Sequence, residues 1–281
     1  MRRFSSLALL FAVASSASVR RLRSELSSSL AAGGSSGAAR VVFDTGADPH
    51  VAGGGDNEKA LALMEEVLAA NKEYATHEGA AAAELFGGGQ HPRLTLLACS
   101  DSRVQAEQFT AHHSDHQHPH DGGVGDIFTV RVIGNMLATA AGSVEYGVRH
   151  LHTPVLLVVG HTLCGAVKAV LGGTAVVDGL EPAIKKELKS MDLGDSKGVA
   201  AVTANVHAQV DAAVAMFEDL VGSKLAVIGA VFDIADSLGN GAGVLNIINI
   251  NGVKSKAAVK DIMRKKAYFP KSAGGEKNEP A

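Results

Sequence analysis

The 281-residue chain has no tryptophan, only two cysteines, and aromatic residues make up just 4% of it. With two cysteines it can form one disulfide at most. Its only early apolar run, residues 4–14, is too short to cross a bilayer, so we expect no membrane span in the mature protein. A formal net charge of −3 gives no basic surface for nucleic acid. Hydrophobic residues at 46% and charged residues at 20% are typical of a globular protein with a sizeable core.

Each cysteine lies in a compact polar cluster. Cys99 begins the segment CSDSR (99–103), and Cys164 follows His161 by three residues in GHTLCG (160–165). A structural zinc site uses four protein ligands. This chain offers three: the sulfur atoms of Cys99 and Cys164 and a ring nitrogen of His161. Because a catalytic zinc site keeps its fourth position open, we predict a catalytic metal centre.

An apolar run typical of a buried strand precedes each cluster, at residues 94–98 and 155–159. Both groups of ligands therefore fall at the carboxyl ends of predicted strands, where open α/β sheets bind their ligands. A disulfide and two inert buried thiols are the alternative interpretations. The nearby histidine and the charged pair beside the first cysteine favour the metal centre.

These motifs resemble the β-class carbonic anhydrases. C-x-D-x-R is followed by H-x-x-C, and three further segments are similar to motifs of that family: GDIFTVR (125–131), GSVEY (142–146) and GAVFD (229–233). The resemblance covers residues 56–252. It implies a β-carbonic anhydrase-like fold with an N-terminal helical arm. Alternating apolar and helical segments independently predict an α/β class, with a mostly parallel central sheet flanked by helices.

The resemblance also implies the surroundings of the metal, one Zn²⁺ per subunit on the three ligands. In the plant-type, open-site branch, the carbon dioxide pocket is shaped by positions that Gln90, Phe128 and Tyr146 occupy here, and Gly165 is assigned to the same pocket. The other branch uses a tryptophan in an inhibitory bicarbonate site, so the absence of tryptophan favours the plant type. The family's first helix packs across a partner subunit, which implies a homodimer or a higher even oligomer.

Asp101 and Arg103 are the predicted catalytic pair. Asp101 can accept a hydrogen bond from the attacking water, and Arg103 can hold that carboxylate in a charge-assisted pair, away from the metal. An ordinary ion pair is the alternative. The function expected from these residues is reversible hydration of CO₂ to bicarbonate. Hydrolysis of carbonyl sulfide or carbon disulfide on the same site, and a non-catalytic zinc-binding scaffold, are the alternatives.

The sequence departs from the family in two places. RVIGN (131–135) replaces the commoner R-N-x-A-N, and an insertion at 110–123 precedes the GDIFTVR segment. The insertion contains five histidines: His112, His113, His116, His118 and His120. Such residues can relay protons or bind adventitious metal. The interpretation we favour for the insertion is a solvated loop without function.

Hydrophobic periodicity predicts the boundaries of the main elements. Strands are predicted at 94–99, 126–132, 154–160 and 225–232, with 244–250 as an edge strand. Helices are predicted at 57–75, 135–151, 164–171, 182–191, 200–221 and 255–266. The domain organisation expected is a targeting peptide and disordered linker at 1–55, a catalytic domain at 56–270 and a disordered tail at 271–281.

The amino terminus is typical of a targeting sequence. A basic start, Met1-Arg2-Arg3, precedes the apolar run, and small residues that suit a cleavage site follow at 15–17. The segment 19–40 is rich in Ser, Ala, Arg and Gly and is similar to a transit peptide. Entry into the secretory pathway is therefore expected. Bipartite targeting to an algal plastid and export to a periplasmic-type compartment are the two alternatives for the final location.

Overall fold

The computed structural model describes residues 56–109, 125–173, 182–194, 196 and 198–270. The predicted targeting segment, the histidines of the insertion and the carboxyl-terminal tail lie outside the described residues. The chain divides into two compact units, Met1–Val67 and Leu68–Ala281. Only residues 56–67 of the first unit are described, and they are helical.

Within the described residues, five strands form one sheet, in the order β2-β1-β3-β4-β5. Their bounds are β1 (Leu94–Cys99), β2 (Ile127–Val132), β3 (Val155–His161), β4 (Ala226–Asp233) and β5 (Val244–Ile250). The first four are mutually parallel, and β5 pairs antiparallel with β4 at the edge. The predicted α/β class, the strands and the edge position of β5 are thus confirmed.

Side chains alternate across the sheet and fill a core on each face. On one face Leu97 and Val158 pack with residues of the helices that follow β2 and precede β4. On the other face Leu96 and Val159 pack with Phe232. Burial on both faces explains why β1 and β3 consist of continuous apolar runs in the sequence.

The helices lie in the predicted regions with shifted ends, except that the short helix Gly79–Phe86 was not predicted. They are α1 (Asp56–His77), α2 (Gly79–Phe86), α3 (Leu137–Glu145), α4 (Gly165–Leu171), α5 (Pro182–Lys189), α6 (Val199–Met216) and α7 (Lys256–Lys265). The predicted helix at 200–221 ends early, because Phe217 leaves the helical conformation at φ −119° and ψ 31°. Phe217 and Val221 are nevertheless buried, so the apolar stripe continues through the turn that follows α6.

The predicted helix at 135–151 is three elements. Positive φ at Gly134 and Asn135 places a 3₁₀ turn, Ile133–Asn135, before α3 begins. After α3 the chain forms a π-helical turn, Tyr146–His150, in which Leu151 N donates to Tyr146 O at 3.0 Å. The left-handed backbone at Gly134 and Asn135 and the π-helical hydrogen bond from Leu151 to Tyr146 interrupt the regular helix that hydrophobic periodicity alone predicts.

Helix α6 lies directly against the sheet. A Cβ at Gly229 of β4 would lie 2.7 Å from Val210 and 3.0 Å from Val206, both on α6. Only glycine allows this approach without displacing the helix.

Helix α1 keeps apolar side chains in contact with solvent. Leu61, Met64, Val67 and Leu68 are between 46% and 63% exposed. Their predicted packing against a partner subunit stays a prediction. Within the described ranges, no helix is both long and apolar enough to span a membrane.

Candidate metal centre

The predicted ligands meet where the strand order of the sheet reverses. From β1 the chain passes to β2 on one side and then to β3 on the other, so the carboxyl ends of β1 and β3 border the crevice in which such sheets bind ligands. Ala98 pairs with Val159, which places Cys99 and His161 at neighbouring strand ends. A short turn then brings Cys164 to the start of α4.

Cys99, His161 and Cys164 form a buried cluster. Their ligand atoms all lie within 4.8 Å of one another. The two sulfur atoms are 4.0 Å apart and both cysteines are free, so the disulfide alternative is wrong. Two sulfurs and one imidazole nitrogen suit a zinc ion, which accepts this ligand set in catalytic sites.

The hydrogen bonds of His161 direct one ring nitrogen into the cluster. His161 Nδ1 lies 2.9 Å from Thr162 O, and because a carbonyl only accepts, Nδ1 must carry the proton. In the neutral ring, Nε2 therefore has a free lone pair. Nε2 is buried and has no hydrogen-bond partner among the described residues. A buried acceptor without a partner is costly, and a metal ion would satisfy it.

The two thiols share a proton unequally. The pKa of Cys99 is lowered to about 4, first because Cys164 donates a hydrogen bond to its thiolate, although burial acts the other way. The pKa of Cys164 is raised by that same hydrogen bond and by burial. Backbone N–H groups also stabilise the sulfurs: Asp101 and Gly134 donate to Cys99. A divalent cation would replace the shared proton.

Asp101 and Arg103 form a bidentate pair beside the cluster. Arg103 Nε donates to Asp101 Oδ1 at 2.8 Å, and a terminal nitrogen of Arg103 donates to Oδ2 at 2.6 Å. These hydrogen bonds hold the pKa of Asp101 well below its usual range, although burial opposes them. Asp101 Oδ2 also lies 3.7 Å from His161 Nε2, so the carboxylate borders the ligands without bonding to them.

Arg131 is a residue of the site that sequence reasoning did not single out. Its guanidinium donates to Cys99 O at 3.1 Å, to Asp101 O at 2.6 Å and to Gln105 Oε1 at 2.9 Å. It therefore fixes the backbone between Cys99 and Asp101. The sequence signal that could have identified Arg131 is a charged residue near the end of a predicted strand, inside the GDIFTVR segment.

The four predicted pocket residues are placed differently from one another. The rings of Phe128 and Tyr146 lie 5.8 Å apart, with Phe128 half-buried and Tyr146 44% exposed. Gly165 is exposed at the start of α4, with open space where a Cβ would project. Gln90 is exposed in the segment before β1. Their part in binding substrate stays a prediction.

Comparison with known proteins agrees with this geometry. The family model described as carbonic anhydrase matches residues 94–239. Carbonic anhydrase 2 of Mycobacterium tuberculosis is 32% identical over 166 residues, which cover 54% of this chain and 74% of that protein. A carbonic anhydrase of Mycolicibacterium smegmatis is 32% identical over 162 residues, covering 52% of this chain and 73% of the relative.

A solved structure of the β-carbonic anhydrase CcaA has a TM-score of 0.50 at 23% identity, covering 62% of this chain and 84% of that chain. At this identity the likeness shows the fold. The family match runs from the first residue of β1 to beyond β4 and includes all three members of the buried cluster. The chain belongs to the carbonic anhydrase family and has the fold of its β class.

Proposed function

We propose that this protein catalyses the reversible hydration of CO₂ to bicarbonate and a proton, at a zinc ion held by Cys99, His161 and Cys164. The observation that carries this proposal is a buried three-ligand cluster with an ionised carboxylate held beside it. Three protein ligands leave a position for water or substrate. When bound, zinc supplies the Lewis acidity that activates water for addition to the carbon of CO₂.

Asp101 orients the nucleophile in this proposal. An ionised carboxylate can only accept hydrogen bonds, so Asp101 accepts a hydrogen bond from the attacking water and thereby directs an oxygen lone pair of that water at the substrate. Its side chain is 15% exposed, which leaves contact with solvent at the mouth of the site. The proton released by the reaction passes from there to buffer.

Arg103 keeps Asp101 in that role. Both carboxylate oxygens accept N–H groups from Arg103, and the backbone N–H of Arg103 adds a further bond to Oδ1 at 3.0 Å. These bonds oppose a swing of the carboxylate onto the metal, where it would close the site. The same guanidinium donates to Leu163 O at 3.2 Å and so joins the catalytic pair to the turn that carries Cys164.

We also propose the plant-type arrangement of the substrate pocket, with Gln90, Phe128, Tyr146 and Gly165 around CO₂. The contact between the rings of Phe128 and Tyr146 supports an apolar wall. Assembly into a homodimer or a higher even oligomer is proposed from the exposed apolar side chains of α1. Entry into the secretory pathway, followed by a plastid or an exported location, is proposed from the sequence of residues 1–40 alone.

The Asp101–Arg103 pair also favours a catalytic site over a non-catalytic zinc-binding scaffold. A structural zinc site has no need of a carboxylate held beside the metal by two charge-assisted bonds. No feature of the described residues favours carbonyl sulfide or carbon disulfide over CO₂.

The experiment that tests the proposal compares Asp101→Ala and Arg103→Ala with the unmodified chain. Each variant should lower the rate of CO₂ hydration about 10- to 100-fold while zinc stays bound, because the nucleophile loses its orientation and the metal keeps its ligands. Stopped-flow hydration and elemental analysis of the same sample measure both quantities.

Arg149→Ala is the matched control. Arg149 makes a comparable two-bond pair with Asp219, at 2.8 and 2.9 Å, away from the cluster. It should leave hydration unchanged. Near-normal activity of Asp101→Ala or Arg103→Ala would mean that their ion pair is only structural.

A further inference from the structure

Asp233 is a buried carboxylate at the end of β4 that the proposed reaction does not use. Its side chain has no exposed surface. Oδ1 accepts hydrogen bonds from Thr162 Oγ1 at 3.0 Å and from Ser237 N at 2.9 Å, and Oδ2 accepts from Leu238 N at 2.6 Å. Burial alone would raise the pKa of Asp233, but these hydrogen bonds lower it. Asp233 is therefore a fixed, ionised acceptor inside the protein.

Thr162 makes three hydrogen bonds with residues 232–234, at the end of β4. Its hydroxyl donates to Asp233 and accepts from Ile234 N at 2.9 Å, so the position of the hydroxyl proton is determined. Its backbone N–H donates to Phe232 O at 3.0 Å. Thr162 has no exposed surface, so solvent cannot replace a bond that is lost.

The peptide of Thr162 connects this anchor to the metal centre. Its carbonyl accepts the Nδ1 proton of His161, which directs the Nε2 lone pair into the cluster. The next residue, Leu163, has φ +59° and is 60% exposed. A non-glycine residue in the left-handed region is strained and must be held there by its surroundings. Cys164 follows this strained turn directly.

We propose that Asp233 and Thr162 are positioning residues of the metal centre. Their hydrogen bond fixes the peptide at 162, and that peptide sets the tautomer of His161 and the direction of the Cys164 side chain. This inference rests on the proposed function only in taking the three ligands to bind a divalent cation. It assigns a role to a buried carboxylate that acts on the cluster through its hydrogen bond to Thr162.

The test is metal binding by the full chain, with Zn²⁺ and Co²⁺ as probes. Thr162→Val keeps the shape of the side chain but removes the hydroxyl. We expect its Zn²⁺ affinity, measured by competition with a chromogenic chelator, to fall about 10- to 100-fold, as is usual when a residue that orients a ligand is lost. The absorption of the Co²⁺-thiolate complex should shift, because the ligand geometry changes. Thr162→Ser keeps the hydroxyl and should restore both readouts.

Thr153→Val is the control for loss of a buried threonine hydroxyl. Thr153 bonds to Thr95 Oγ1 at 2.8 Å and to Gly147 O at 3.2 Å, and it precedes β3, at the end of the strand opposite to the ligands. This variant should lose stability and keep its metal affinity and Co²⁺ spectrum. Asp233→Asn keeps the volume of the side chain and one acceptor oxygen. Like Thr162→Val, it should weaken Zn²⁺ binding. It replaces Thr162→Val in the test if that variant does not fold.

The inference would be overturned if Thr162→Val kept the metal affinity and the Co²⁺ spectrum of the unmodified chain. The same holds for Asp233→Asn where it replaces that variant. In either case the proposed function would still stand. An equal loss of affinity in Thr153→Val would overturn it as well, because general destabilisation would then explain the effect. An unmodified chain that binds neither cation would overturn the proposed function together with this inference.

Discussion

At the scale of single residues, Cys164 is the ligand whose replacement tests the cluster most cleanly. Backbone N–H groups of Ala166 and Val167 point at its sulfur and favour the thiolate. Cys164→Ser keeps the size of the side chain but offers a neutral hydroxyl, which binds zinc more weakly than a thiolate does. We expect the zinc content to fall far below one ion per chain, as measured by elemental analysis of the purified protein.

The same variant should also unfold at lower temperature, because an ion that binds only the folded state stabilises it. Circular dichroism at room temperature shows whether the variant is folded before zinc is counted. Full zinc occupancy in folded Cys164→Ser would contradict the assignment of this ligand.

Sequence reasoning identified the residues whose chemistry is visible in a short motif, and missed those that act over a long chain separation. Cys99, Asp101 and Arg103 lie within five residues of one another. Arg131 bonds to a carbonyl 30 residues away, and Asp233 bonds to Thr162 71 residues away. Those partners meet only after the parallel strands have aligned, so no local pattern predicts them.

At the scale of elements, the close packing of α6 on β4 gives a prediction for stability. Gly229→Ala places a Cβ against Val206 and Val210 of the helix and 3.1 Å from Asn249 Cβ of β5. Neighbours on both sides prevent easy relaxation, so we expect a loss of about 1–3 kcal/mol in the free energy of unfolding. Chemical denaturation monitored by circular dichroism measures this difference.

Gly142→Ala is the matched control for that substitution. Gly142 is exposed in α3, and nothing lies within 4 Å of the Cβ it would gain. Alanine favours the helix, so this variant should be as stable as the unmodified chain or slightly more stable. If both substitutions had the same effect, the packing of α6 against Gly229 would not limit stability.

Strands were easier to predict than helix ends, for a physical reason. Strands β1, β3 and β4 are buried on both faces, so their apolar runs start and stop close to the ends of the strands. Helix α6 ends at Met216 while its apolar stripe continues to Val221, because the following turn also packs into the core. The break before α3 depends on positive φ at Asn135, which the apolar periodicity does not reveal.

At the scale of the whole molecule, the partial burial of His207 gives a prediction of how the free energy of unfolding changes with pH. His207 lies on α6, and its Nδ1 is 3.1 Å from Asn249 Nδ2 of β5. Burial lowers the pKa of His207 below 6.5, nearby Lys254 lowers it further, and Asp211 opposes them. The neutral ring is therefore favoured in the folded protein, and the unfolded chain binds the proton more readily.

The stabilisation linked to His207 is thus complete above pH about 6.5 and is lost as pH falls from there through the lower pKa of the folded protein. His207→Gln should flatten the pH dependence of the unfolding free energy below pH about 6.5. An unaltered slope in His207→Gln would show that its burial is not linked to folding.

The proposed CO₂ hydration requires one metal ion on Cys99, His161 and Cys164. The most direct test adds Zn²⁺ stepwise to chelator-treated full chain and measures the hydration rate by stopped flow at each step, with bound zinc determined on the same samples. We predict that the rate rises in proportion to bound zinc and reaches its plateau at about one zinc per chain, because three ligands form a single catalytic site. Full zinc loading without acceleration of CO₂ hydration would contradict the account.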